Sequence, residues 1–248
     1  MNGRKADAMR SKIPLILLPG LVCDAALWQA QLRDLAPLAS MAVPDLSRFE
    51  SIDDMASAVL ATAPPRFALA GLSMGGYVAQ AMVRLAPERI ARLALLDTTA
   101  REDRPEQTQA RRTLMAMTRN GDFEGALELL LDRMIDPVRR SDAVLCDAIL
   151  TMERRVGAAA FLRQQTAIIA RPNELATVAA SRVPLLVLCG ENDAITPLAV
   201  HREIVAVRPD ATFVVIESCG HVSTLERPAE VTAALAAWLR AGDDPAIF

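Results

Sequence analysis

Three short segments hold residue types that can act together as nucleophile, acid and base. They are Gly71-Leu72-Ser73-Met74-Gly75-Gly76, Cys189-Gly190-Glu191-Asn192-Asp193 and Cys219-Gly220-His221. A serine hydroxyl is a weak nucleophile until a base takes its proton. An imidazole serves as that base when a carboxylate fixes its tautomer and stabilises the cation that forms.

Ser73 follows an apolar run at 67–70 and precedes a helical pattern that starts near Gly75. A serine exposed between a strand and a helix needs a sharp, strained turn, and glycines two residues before and after it relieve the crowding. The competing reading is a glycine-rich turn with an ordinary serine. His221 comes late, in a loop after the apolar run 213–216, and Glu226-Arg227-Pro228 then opens the last helix. The only other histidine, His201, lies inside a helical pattern between Val200 and Arg202 and reads as structural.

Asp193 stands between the end of an apolar run and the helix opened by Pro197, so it is the expected acid; otherwise it is an Asx-turn residue or a helix cap. Asp97, at the end of the run 93–96, is the main rival, with Glu191 and Asp45 weaker. A tetrahedral oxyanion needs two backbone N–H donors. The residue after the nucleophile, Met74, is one. The loop Leu18-Pro19-Gly20-Leu21-Val22 supplies the other, assigned to Leu21.

The elements around these segments read as an α/β protein. Strands are expected at 15–18, 41–43, 67–70, 93–96, 185–189 and 213–216, nearly continuous in hydrophobicity, as suits strands buried on both faces of a parallel sheet. Helices are expected at 25–35, 52–62, 75–85, 198–207 and 229–239. From about 98 to 182 no strand is legible. Amphipathic patterns at 106–119, 123–134, 138–155 and 158–169 predict a helical cap over the strand carboxyl ends. The expected organisation is thus a core at 1–97 and 183–248 with a cap at 98–182. Within the cap, Arg154, Arg155, Arg163 and Arg171 are candidates for holding an anionic substrate, and Gln164, Gln165 and Asn173 for polar contacts.

The bulk composition narrows the function classes. The chain has 248 residues, 52% hydrophobic and 23% charged, enough for one substantial core. A net charge of −3 offers no nucleic-acid surface. Residues 1–12 are polar, with no signal-peptide pattern, and no apolar run is long enough to span a bilayer. Four scattered cysteines without a CxxC spacing, and only two histidines, predict neither a disulfide framework nor a metal site. The expectation is a cytoplasmic monomer or homodimer acting on a small molecule without a metal or cofactor.

With these residues in place, the chain resembles the α/β-hydrolase superfamily over nearly its whole length. Gly-Leu-Ser-Met-Gly-Gly (71–76) matches the nucleophile elbow, Gly-Glu-Asn-Asp-Ala-Ile-Thr-Pro (190–197) the acid loop, and Gly-His-Val-Ser-Thr-Leu-Glu-Arg-Pro (220–228) the histidine loop. Leu-Pro-Gly-Leu (18–21) stands where many members carry His-Gly. The resemblance implies a mostly parallel α/β-hydrolase sheet flanked by helices, with a helical cap inserted. It also implies a Ser73–Asp193–His221 triad, with Leu21 and Met74 as oxyanion donors. The chain is similar to small capped esterases that cleave pimeloyl-carrier methyl esters, and to 3-oxoadipate enol-lactonases. The expected reaction is hydrolysis of a carboxylic ester through an acyl-enzyme. The alternatives are lactone or carbon–carbon bond hydrolysis on the same triad, or a catalytically silent ligand-binding fold. The short leader predicts that the usual two-strand hairpin is missing, leaving about six parallel strands; Pro19 replaces the common histidine, and Leu46-Ser47-Arg48-Phe49 replaces the usual Gly-x-Gly turn after Asp45.

Overall fold

The computed structural model describes residues 12–241. The expectations of no signal peptide and no leading hairpin rest on residues 1–11 and lie outside the described part. Six strands form one parallel sheet: β1 (Ile13–Leu18), β2 (Ala39–Ala42), β3 (Phe67–Leu72), β4 (Ile90–Leu96), β5 (Leu185–Gly190) and β6 (Thr212–Ile216). Their order across the sheet is β2-β1-β3-β4-β5-β6. Every residue of β3, β4 and β5 is buried, which accounts for their unbroken apolar runs, whereas the edge strand β2 exposes alternate positions and the edge strand β6 exposes Thr212 and Val215.

The chain winds outward from β1 to β2, then returns past β1 and continues the other way through β3. The reversal leaves a crevice between the carboxyl ends of β1 and β3, where parallel α/β sheets bind ligands. Helices α1 (Gln29–Asp34) and α11 (Pro228–Arg240) pack on each other. Helices α2 (Ile52–Thr62), α3 (Met74–Leu85), α8 (Leu175–Ala180) and α9 (Leu198–Val207) pack in a row. Helix α3 is apolar nearly all round because it is covered by α2 and α8 as well as by β1, β3 and β4.

Between β4 and β5 the chain is helical throughout: α4 (Pro105–Arg119), α5 (Phe123–Met134), α6 (Ala143–Val156), α7 (Ala158–Ile169) and then α8. Helix α8 has no counterpart among the predicted elements. The predicted helix at 138–155 is divided into a tight turn at Pro137–Arg139 and α6, because Asp136 and Asp142 each accept a backbone N–H two or three residues ahead and so start a new element. The predicted helix at 25–35 is likewise divided. A turn at Ala25–Trp28, capped by Asp24, precedes α1, and Trp28 leaves the helical basin at φ −106°, ψ 12° with its indole buried. The short α10 (Ser223–Glu226) precedes α11.

Among the described residues, four non-glycine residues have positive φ: Val22, Ser73, Asp97 and Ser218. All four lie just past the carboxyl end of a strand. Strain stored on one rim of a sheet points to that rim as the functional one.

Candidate active site

Ser73 joins β3 directly to α3 with φ 55° and ψ −115°. Two close approaches hold the turn. A Cβ on Gly71 would lie 2.2 Å from the Gly75 carbonyl oxygen, and one on Gly75 would lie 2.2 Å from that of Leu18. The glycines therefore let strand, helix and neighbouring strand come within backbone contact. Further hydrogen bonds fix the strained residue: its N–H donates to Leu96 O at 3.0 Å, and Thr98 Oγ1 donates to its carbonyl at 2.9 Å.

The side chains of Ser73, His221 and Asp193, far apart in sequence, form one hydrogen-bonded chain. His221 Nε2 lies 2.8 Å from Ser73 Oγ, and His221 Nδ1 lies 2.8 Å from Asp193 Oδ2. An ionised carboxylate can only accept, so Nδ1 carries the hydrogen and Nε2 of the neutral ring is left to accept the serine proton. Asp193 is held by four donors in all: the N–H groups of Ile195 and Thr196 to Oδ1, and Thr196 Oγ1 and His221 to Oδ2. It is thus both the Asx-turn residue and the imidazole's partner. Burial works against the charged Asp193, but His221 and these hydrogen bonds outweigh it and lower its pKa. Burial likewise opposes the His221 imidazolium, and the facing carboxylate of Asp193 outweighs it, so the pKa is raised.

The rival acids stand elsewhere. Asp97 accepts from the Gly190 N–H and shares a hydrogen bond with Ser223 Oγ instead of pairing with the imidazole. Its burial, and then the neighbouring charge of Asp193, push its pKa up to about 8. Asp45 caps Ser47 and Glu191 accepts from the Ser218 N–H, both on the surface. His201 is fully buried; its Nε2 accepts the Thr98 N–H at 3.0 Å, and burial lowers its pKa to about 4, which marks a neutral structural ring.

Leu21 follows β1 and Met74 begins α3, and the contact of Gly75 with Leu18 brings these two segments together. Neither amide N–H has an acceptor among the described residues. Both loops border a cavity of about 440 Å³, open to solvent, lined by Ser73 and His221. Its walls are apolar, with Leu130, Met134 and Ile168 coming from α5 and α7 and Leu72, Ile195 and Val222 from the core.

The one permanently charged side chain in that lining is Arg111 of α4, which the sequence reading did not single out. The arginines it did single out are engaged away from the cavity. Arg154 pairs with Glu124, Arg155 with Asp24, Arg163 bonds Ser47 O, and Arg171 is buried against Asp103 and the Tyr77 ring. No periodicity distinguishes Arg111 from its neighbours on α4; only its Asp103 partner, eight residues away, hints that it is fixed.

The sequence model of the alpha/beta hydrolase family matches residues 15–235. A pimeloyl-(acyl-carrier protein) methyl ester esterase of Pectobacterium carotovorum is 27% identical over 92% of this chain and 94% of its own length. Among solved structures, an esterase from Thermogutta terrifontis, described as malate-bound, superposes with a TM-score of 0.85 at 30% identity, over 93% of this chain and 90% of that one. The enol-lactonase of Burkholderia xenovorans superposes with a TM-score of 0.82 at 22% identity, over 92% of each chain, and shares the fold.

Proposed function

The chain belongs to the alpha/beta hydrolase family, and on that premise we propose that it hydrolyses carboxylic esters of small molecules by an acyl-enzyme mechanism. The observation that carries the reading is the Ser73–His221–Asp193 hydrogen-bonded chain, 2.8 Å at each link, opening on an apolar cavity.

His221 Nε2 takes the Ser73 proton as Oγ attacks the ester carbonyl. The oxyanion forms at the crevice between β1 and β3, within reach of the Leu21 and Met74 N–H groups. Collapse of the tetrahedral adduct returns the proton from His221 to the departing alkoxide, and the acyl group stays on Ser73. Water, deprotonated by the same imidazole, then attacks the acyl-enzyme and releases the acid. Asp193 holds the ring in its tautomer and stabilises the imidazolium without itself taking the proton. A lactone is a cyclic ester and opens by the same steps, with the leaving alkoxide retained in the product.

Residues 98–182 act in this reading as a cap. They carry Arg111, Leu130, Met134 and Ile168 into the cavity lining and so set which acyl groups fit. Four free cysteines, three of them buried, suit a reducing compartment such as the cytoplasm.

The test is hydrolysis of a panel of p-nitrophenyl esters and lactones by wild type and Ser73→Ala, with fluorophosphonate labelling read by intact mass. Labelling at Ser73 and turnover abolished in the variant support the reading. Turnover that survives Ser73→Ala refutes it, and absence of both labelling and turnover favours a ligand-binding fold.

A further inference from the structure

We propose that Arg111, held in place by Asp103 and Gln165, forms an anion subsite in the cavity that contains Ser73, so that the preferred ester carries a carboxylate on its acyl portion. The proposal rests on the ester-hydrolase reading and adds the substrate class to it.

Arg111, on α4, meets α7 and the segment just before α4 inside the fold. Its Nε donates to Asp103 Oδ2 at 2.7 Å, and its Nη1 donates to Gln165 Oε1 at 3.0 Å. Asp103 is shared: its other oxygen accepts from Arg171 Nη1 at 2.7 Å. The side chains of Asp103 and Arg171 are 1% and 3% exposed, and that of Arg111 is 16% exposed. Two guanidinium groups therefore divide one carboxylate, leaving a positive charge in excess within a poorly solvated cluster. An excess charge in such surroundings is costly unless an anion joins it.

Gln165 is the second, independent observation. Guanidinium groups only donate, so the amide oxygen must face Arg111. Its Nε2 is thereby turned away, and this nitrogen is buried with no hydrogen-bond partner among the described residues. Arg111 Nη2 also makes no hydrogen bond among the described residues. Arg111 lines the cavity and Gln165 lies behind it, so Nη2 is the donor open to a ligand. A carboxylate in the cavity would accept from Nη2 and meet the excess charge, with Asp103 and Gln165 Oε1 fixing the guanidinium. The remaining lining offers mainly hydrocarbon, which suits a methylene chain between the anion and the ester.

The test compares kcat/KM for monomethyl esters of the straight-chain diacids from succinate to suberate with methyl esters of the neutral monoacids of equal length, in wild type, Arg111→Gln and Gln165→Leu. The expected result is a wild-type preference for the monoanionic ester at one chain length. Arg111→Gln should reduce that preference by about tenfold to a hundredfold, the range of one charge-assisted hydrogen bond, and Gln165→Leu by a smaller factor. A wild type that favours the neutral esters at every length overturns the proposal, as does a preference that persists in both variants. Gln165→Leu leaves the Arg111–Asp103 pair in place and reads only the positioning of the guanidinium; Arg111→Met, an uncharged chain of similar reach, decides the matter if Arg111→Gln does not fold. Titration calorimetry of Ser73→Ala with the same ester pairs reads the preference without catalysis. Failure of the ester-hydrolase reading would appear as turnover unaffected by Ser73→Ala, whereas failure of the anion subsite would appear as equal binding of charged and neutral partners.

Discussion

The backbone N–H of Val22 donates at 2.8 Å to Oε1 of Gln164, 142 residues further along the chain. Val22 is buried, β-branched and at φ 48°, a conformation such residues rarely hold unaided. Gln164 lies on α7, and its Nε2 also donates to Leu46 O. One buried amide thus ties a helix from the segment between β4 and β5 to the loop that presents Leu21.

Gln164→Leu removes the acceptor and leaves the Val22 N–H buried and unpaired, at a cost of about 1–3 kcal/mol. The strained residue is then free to relax, and in the proposed mechanism the Leu21 N–H loses its aim at the oxyanion. The expected outcome is a fall in kcat of roughly tenfold to a hundredfold, within the range for losing an oxyanion donor, with little change in KM, measured on p-nitrophenyl esters beside a melting curve. Lower stability with unchanged kcat would reduce Gln164 to a packing role.

In the proposed mechanism His221 must be neutral to act as the base, so kcat/KM should rise with pH through the His221 titration. Burial alone would place that titration below the ordinary value of 6.5, but Asp193 more than offsets it. The acid limb of the profile is therefore expected to have its midpoint above 6.5. Asp193→Asn removes the counter-charge and the tautomer control together. It should move the midpoint down and cut kcat by about 10³–10⁴. A midpoint that stays put in the variant would mean that another group sets it.

Asp97→Asn separates the two buried carboxyls. With a pKa near 8, Asp97 is mostly protonated at neutral pH, so an amide of the same shape replaces an acid of the same charge. The amide oxygen can still accept the Gly190 N–H, and the amide nitrogen can donate to Ser223 Oγ. Activity within a few-fold of wild type at pH 7 is expected. A loss as large as that of Asp193→Asn would make Asp97 part of the catalytic relay.

The parts of the site that were legible in the sequence are those encoded locally. Ser73, Asp193 and His221 each sit a few residues past an apolar run, and parallel strands place such residues on one rim. The elbow glycines were legible because a Cβ on Gly71 or Gly75 would fall 2.2 Å from a carbonyl oxygen, which excludes any other residue. Arg111, Gln164 and Gln165 were not legible in their present roles, since which side chains of an amphipathic helix turn inward depends on how it packs against its neighbours. Arg154 and Arg155 were expected to hold an anionic substrate, yet they face Glu124 and Asp24 at the surface while Arg111 reaches the cavity. The break in the predicted helix at 138–155 belongs with the local signals: Asp136 and Asp142 are both capping residue types and announce two starts.

Glu153, on α6, is fully buried, and neither of its carboxyl oxygens has a hydrogen-bond partner among the described residues. Burial raises its pKa from 4.5 to about 8, with Arg154 opposing and Glu124 adding to the shift. Between these two values the folded chain binds a proton that the unfolded chain does not, so stability falls as pH rises from about 4.5 and levels off above about 8. The slope from this group is about 1.4 kcal/mol per pH unit across that window. Asp97 acts in the same direction, so the wild-type curve contains both. Glu153→Leu removes one contribution and substitutes hydrocarbon in an apolar setting. Its melting temperature should match or modestly exceed that of wild type at pH 5, and the gap should widen steadily to pH 8. A constant gap across that range would mean that Glu153 ionises in the folded protein as it does in the unfolded one, with water or a shifted neighbour satisfying its oxygens.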